Sequence, residues 1–247
     1  FISYTVLSVM LKIAFDKDYI YELEKGHRFP MIKYELIPEQ LIREGTCSQD
    51  NFFSPKMLSV DHALKTHDEH YYNRLCNLNL TKKEERPIGF PMSMELVNRE
   101  KKIARGTVDC CNFSLKYGVS INIAGGTHHA FYDRGEAFCM LNDQAIAANV
   151  LLENEETIKK ILIVDLDVHQ GNGTASIFNN SIDVFTLSFH GKNNYPFRKE
   201  KSDFDLELDD NTNDDFYLQK LRKYLPEVIE KFEHQFNIIL KKRNCLK

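Results

Sequence analysis

The chain has 247 residues, 43% of them apolar and 28% charged, with 32 Lys plus Arg against 36 Asp plus Glu, a formal balance of −4. That composition suits one large α/β globule better than two domains, and the near-neutral charge excludes a generic nucleic-acid binder. Seven prolines and eleven glycines exclude a low-complexity scaffold.

Six cysteines at 47, 76, 110, 111, 139 and 245 contain no C-x-x-C pair, so neither a disulfide framework nor a Cys-rich zinc site is expected. The apolar N-terminal run FISYTVLSVM is about half the roughly 20 residues that span a bilayer, and it lacks a basic leader region. The expected location is therefore cytoplasmic, without membrane contact. Met10 opens a more ordinary start, so residues 1–9 are read as a non-native N-terminal extension.

In chain order, 34–44 (YELIPEQLIRE) has a helical pattern, with Pro38 expected near the first turn. Leu96, Val97, Ile103, Ala104 and Val108 predict a helix over 95–115. GVSINIAGG, 118–126, alternates and ends in a glycine pair, the pattern of a strand entering a tight turn. Asn142 precedes Ala145, Ile146, Val150 and Leu151 as the N-cap of another helix. ILIVD, 161–165, is continuously apolar before its acid, as in a parallel strand buried on both faces. A strand over 183–189, an acidic loop and a helix over about 214–233 follow. This alternation predicts an α/β fold with a mostly parallel sheet and a ligand site beyond the carboxyl ends of its strands.

Two clusters lie at such ends. In GGTHHAFYDRGEAFCMLND, 125–143, adjacent His128 and His129 can present two imidazoles to one cleft; a hydrogen-bonded surface loop is the plainer alternative. In LIVDLDVHQGNGT, 162–174, Asp165, Asp167 and His169 alternate, which in extended backbone points all three to one side. Carboxylate and imidazole suit Zn2+, and a charged strand end solvating itself is the alternative. Gly171 and Gly173 permit a sharp turn, but they lack the third glycine and the placement of a dinucleotide fingerprint.

Together these two motifs resemble the zinc-dependent histone deacetylase family, which includes acetoin-utilisation proteins and acetylpolyamine amidohydrolases. The likeness is greatest to its bacterial and class IV-like branch. HRFPMIKYELI (27–37), IGFPMSMELV (88–97) and FTLSFHGKNNYPFRKEKSDFDLEL (185–208) share it, so it runs from about His27 to Ile239. The resemblance implies a three-layer arginase/deacetylase-like α/β domain over 10–240. It also implies hydrolysis of the amide of acetyl-lysine, in a histone-like or other acetylated protein, or of an acetylated small amine. Arginases themselves favour two manganese ions and a D-x-H-x-D pattern, and position 171 is Gly where the second Asp would stand.

By the same resemblance, His129 is the general base and His128 its electrostatic partner or the acid for the leaving amine. Asp167 and His169 are zinc ligands, and Asp165 orients His128. Asn172 stands where many members carry an Asp that orients His129, so it holds an orientation but supplies no charge. Phe138 and Cys139 match the substrate tunnel wall, with Phe138 as plain core the alternative. Ala137, in place of the usual glycine, is expected to narrow the tunnel. Tyr195 or Phe197 is the candidate for the opposite wall. Asp165, Asp167, Ser188 and Phe189 match a structural monovalent-cation site suited to K+. Asp68 is either a rim residue or a solvated helix cap.

The family continues past the strand matching FNIIL with a segment carrying a third zinc ligand, and later with a catalytic tyrosine. Here the sequence reads FNIILKKRNCLK. The expectation is an incomplete domain lacking C-terminal strands, an aberrant tail over 241–247, and an alternative in which the chain is an inactive binding module or fragment.

Overall fold

The structure, a computed structural model, describes residues 10–240. The expected extension over 1–9 and tail over 241–247 lie outside the described residues.

Among the described residues seven strands are defined: β1 (Lys12–Ala14), β2 (Phe52–Phe53), β3 (Ser120–Asn122), β4 (Ile161–Asp165), β5 (Val184–Gly191), β6 (Phe204–Leu208) and β7 (Phe236–Leu240). Every strand pairing is parallel. The strands divide into a three-stranded sheet, β2-β1-β3, and a four-stranded sheet, β6-β5-β4-β7, rather than forming one. The edges of β3 and β7 face a common cavity of about 370 Å³ instead of bonding to each other.

The helices are α1 (Lys33–Arg43), α2 (Val60–Leu64), α3 (Glu69–Cys76), α4 (Lys82–Ile88), α5 (Met94–Tyr117), α6 (Asp143–Asn154), α7 (Asn172–Ile177) and α8 (Asp214–Phe232). Ser93 caps α5 by accepting from the Leu96 N–H, and the helix ends at Gly118, whose φ of 92° is left-handed. Asn142 caps α6 by accepting from the Ala145 N–H. In α1, Pro38 lies one turn further in than expected.

β4 shows why a continuous apolar run is needed. Its five residues are all buried. Ile161 and Ile163 join the core that includes Ile103 and Val108 of α5 and Ala145 and Ile146 of α6. Leu162 and Val164 join a second core, where Val228, Leu221 and Tyr224 of α8 cover the other face. Side chains alternate along a strand, so two buried faces demand apolar residues at both parities. Helix, sheet and helix thus make three layers, and the carboxyl end of β4 emerges between them at Asp165. Among the described residues, no helix is long and apolar enough to cross a membrane.

Candidate active site

The histidine pair is fixed from below by Asp143, the first residue of α6. Its buried carboxylate accepts from the N–H groups of Gly126 (3.0 Å) and Thr127 (2.7 Å) and from the hydroxyls of Thr127 (2.7 Å) and Thr107 (2.5 Å). Asn142 Nδ2 braces the far side, donating to the Ala130 carbonyl and the Thr174 hydroxyl, each at 3.0 Å. The loop carrying His128 and His129 is therefore held at both ends by one Asn-Asp dipeptide.

Both imidazoles are buried, with ring centroids 4.1 Å apart. His128 Nδ1–H donates to Asp165 Oδ2 at 2.6 Å. His129 Nδ1–H donates to Asn172 Oδ1 at 2.7 Å. Each ring thus has its own orienting side chain, a charged one for His128 and a neutral one for His129.

Asp165, Asp167 and His169 follow one another along a bent segment rather than an extended strand. β4 ends at Asp165 and the backbone bends over 167–169. The Asp167 N–H donates to Asp165 Oδ1 (2.9 Å), and the His169 N–H donates to Asp167 Oδ1 (2.8 Å). Two successive carboxylate-to-backbone bonds, each closing over two residues, turn the chain tightly. They leave His169 Nδ1 3.1 Å from Asp167 Oδ1. Asp167 is fully buried, whereas the His169 side chain keeps 34% exposure.

The two glycines that follow serve close approach rather than a sharp turn. Gly171 has an ordinary φ of −73°. A Cβ there would lie 2.5 Å from Asp165 Oδ2 and 3.1 Å from His128 Nδ1, intruding on the His128–Asp165 pair. A Cβ on Gly173 would lie 2.2 Å from the Ala130 carbonyl oxygen, so α7 could not pack against the histidine loop.

His129, His169, Tyr195, Phe138 and Cys139 line one cavity of about 360 Å³. It extends inward past Arg99 and Glu100 of α5, a buried ion pair whose Arg99 Nε also donates to the Tyr19 carbonyl at 2.8 Å. Among the described residues, no three His, Cys, Asp or Glu side chains are grouped to hold a metal ion.

The family model for the histone deacetylase domain matches residues 27–241. The chain belongs to the histone deacetylase family. It is 38% identical over 217 residues to an uncharacterized protein of Picosynechococcus, covering 88% of this chain and 72% of that one. It is 26% identical over 241 residues to histone deacetylase 2 of Arabidopsis thaliana, spanning 94% of this chain and 62% of that protein. It is 34% identical over 124 residues to the acetoin utilization protein AcuC of Bacillus subtilis, 45% of this chain and 32% of that one. Among solved structures, an HDAC homolog from Aquifex aeolicus aligns with a TM-score of 0.79 at 25% identity, over 93% of this chain and 67% of that one. An HDAC homolog complexed with SAHA aligns with a TM-score of 0.80 at 26% identity, over the same shares. The arginase/deacetylase-like α/β fold is therefore established, for a chain spanning about two thirds of those structures.

Within this deacetylase fold the remaining expected residues separate. Phe138 is both wall and core, since its ring lines the cavity and packs on Phe29 (5.1 Å between centroids) and Phe90 (4.9 Å). Tyr195 lines the cavity, set edge-on to both imidazoles with ring centroids 5.1 Å from His129 and 6.0 Å from His169. Phe197 does not take part: two residues beyond Tyr195, it is 92% exposed and outside the cavity wall. Burial raises the Tyr195 phenol well above its ordinary pKa, and the Glu136 carboxylate accepting its hydrogen bond adds to the effect. Asp68 caps α3, accepting from the Tyr71 N–H at 2.8 Å, and does not line the cavity. Asp165 and Ser188 are register partners on β4 and β5, and the Ser188 hydroxyl pairs with His190 Nδ1 at 3.0 Å. Phe189 turns into the α8-facing core.

Ala137 matters through its backbone more than its methyl. Glu136 and Cys139 form an isolated antiparallel bridge, and the two residues between them have φ of 45° (Ala137) and 66° (Phe138). Two positive φ values in a two-residue connection are the pattern of a type I′ turn, which favours Gly and Asn. The turn is clamped by the Ala137 N–H on the Pro87 carbonyl (2.9 Å) and the Phe138 N–H on the Ile88 carbonyl (2.7 Å).

Sequence reasoning passed over three residues that shape this site. Asp143 read only as the continuation of a helix cap. Glu136 sits beside Phe138 in a motif read for its aromatic. His67 neighbours the more conspicuous Asp68. The His67 ring accepts the Asn142 N–H at Nε2 (2.9 Å) and donates from Nδ1 to the Tyr132 carbonyl (3.3 Å), tying α3's entry to both ends of the histidine loop. Of the three, Asp143 alone carried a sequence signal, its place directly after the N-cap Asn142.

Proposed function

We propose that this chain acts as a zinc-dependent deacetylase, hydrolysing the amide of acetyl-lysine in a histone-like or other acetylated protein, or of a related acetylated small amine. The observation that carries this reading is the buried histidine pair, each Nδ1 bonded to a different side chain, beside Asp167 and His169. A carboxylate and an imidazole suit zinc in kind, but they number two where catalytic zinc usually takes three protein ligands, so a third would come from outside the described residues. Bound zinc supplies Lewis-acid polarisation of the amide carbonyl and acidifies water.

The chain's own residues supply the rest. His129 Nε2 takes a proton from the attacking water as its oxygen bonds to the carbonyl carbon, because its Nδ1 proton is committed to Asn172. His128, its Nδ1–H held by the Asp165 carboxylate, is the electrostatic partner, and His129 Nε2 passes the proton it took from water to the amine nitrogen as the C–N bond breaks. Phe138 and Tyr195 flank the aliphatic chain leading to the amide. A potassium ion at Asp165, Asp167, Ser188 and Phe189 belongs to this reading, supported by the register of Asp165 with Ser188.

The test is acetate release from an acetyl-lysine peptide by the full chain with added zinc. Wild type should turn over, and His129→Ala should lose about 10²–10⁴-fold, the usual contribution of a general base. Zinc retention by equilibrium dialysis should fall in Asp167→Ala. Absence of both turnover and zinc binding would overturn the reading. The two-donor count favours a second reading, an acetyl-lysine binding module without turnover; peptide binding without zinc retention would select it.

A further inference from the structure

His129 has a neutral orienting partner, and a neutral amide can face either way. Asn172 could present its Oδ1 to the ring, which places the proton on His129 Nδ1, or its Nδ2, which requires Nδ1 to accept and moves the proton to Nε2. Only the first arrangement makes Nε2 a base. Asp at this position would need no orienting, since both its oxygens accept. Something else must choose the face of Asn172.

Glu136 is placed to do so. Asn172 Nδ2 donates to Glu136 Oε1 at 3.2 Å, while Asn172 Oδ1 receives His129 Nδ1–H at 2.7 Å. The Tyr195 hydroxyl donates to the same Glu136 oxygen. A carboxylate accepts only, so the amide's NH2 must face Glu136 and its oxygen must face His129. The Glu136–Cys139 bridge sets the glutamate's position, and Asn172, the first residue of α7, is buried against it.

We propose that Glu136 is a positioning residue that fixes the Asn172 amide and, through it, the Nδ1–H tautomer of His129. Glu136, Asn172 and His129 form one relay in which a carboxylate acts on the imidazole through an amide, replacing a direct carboxylate partner. The assignment deepens the deacetylase reading, because it rests on His129 being the base.

The decisive measurement is the tautomer itself, by long-range ¹H–¹⁵N correlation of histidine rings in the full chain at pH 8. Wild type should show His129 protonated at Nδ1 and unprotonated at Nε2. Glu136→Leu should populate the Nε2–H form, and Glu136→Ser, polar but too short to reach Asn172, should do the same should the leucine variant fail to fold. Glu136→Gln, whose carbonyl oxygen can still accept from Asn172 Nδ2, should restore the Nδ1–H form. An unaltered tautomer in folded Glu136→Leu or Glu136→Ser would overturn the proposal. In turnover, Glu136→Leu should lower kcat about tenfold with KM within about twofold, since the loss is of competent base rather than of binding. A wild type without turnover would defeat the deacetylase reading alone, and the tautomer comparison would still decide the role of Glu136.

Discussion

Ala137 occupies a backbone conformation that costs an L-residue about 1–2 kcal/mol, and its neighbour Phe138 carries the same burden. The clamp on Pro87 and Ile88 holds the turn there, which aims Phe138 at the cavity and Glu136 at Asn172. Replacing Ala137 by glycine removes the steric cost but gives the unfolded chain more freedom, worth about 0.4–1 kcal/mol in the other direction. The balance favours the variant, so Ala137→Gly should raise the urea midpoint by the equivalent of about 0.5 kcal/mol. A midpoint at or below wild type would mean that the turn is relaxed with alanine. Nothing in the sequence announced this strain. In the sequence an alanine here reads as extra bulk, and only the dihedral angles reveal a conformational demand.

The elements were legible in proportion to the physical pattern each one carries. β4 needs apolar residues on both faces, so ILIVD stood out, and α6 was marked by an Asn cap whose amide does accept from the Ala145 N–H. β1 and β2 have three residues and two, too few to show any period, and they stayed invisible. At the site, carboxylate-to-backbone bonds bend the chain through Asp165, Asp167 and His169 where extended alternation was expected. Glu136 and His67 were missed because their roles arise from contacts across 36 and 75 residues, which no local pattern encodes. The packing of α7 gives a sharp test at this scale. A methyl at Gly173 would meet the backbone of Ala130 and His129 rather than a movable side chain. Gly173→Ala should therefore push α7 from the histidine loop and destabilise the protein by roughly 3 kcal/mol, read from urea unfolding. It should also break the His129–Asn172 bond, because Asn172 opens the same helix. Wild-type stability in this variant would contradict the close approach.

Across the whole molecule, the two parallel sheets and the long helices α5 and α6 meet around the histidine loop, and His67 is one of the fixed points between them. Burial depresses its pKa to about 4 from an ordinary value of 6.5, outweighing the opposing influence of the Tyr132 and Phe131 carbonyls. Its hydrogen bonds require a neutral ring, with Nε2 accepting from Asn142 and Nδ1 donating to Tyr132. The unfolded chain takes up a proton on this histidine as pH falls through 6.5, whereas the folded chain resists until about 4. Stability from this group is therefore complete above pH 6.5 and is lost progressively between 6.5 and 4. The linkage amounts to about 2 kcal/mol between pH 7.5 and 5, a sizeable part of the 5–15 kcal/mol that usually holds a domain together. His190 is depressed by burial as well and acts in the same direction, so the wild-type slope alone does not isolate His67. Comparison with His67→Gln does. A glutamine can accept from the Asn142 N–H and donate to the Tyr132 carbonyl without titrating, so its unfolding free energy should fall by about 2 kcal/mol less than that of wild type over this interval. Parallel pH profiles for the two proteins would show that His67 is not the acid-sensitive fixed point between α3, the histidine loop and α6.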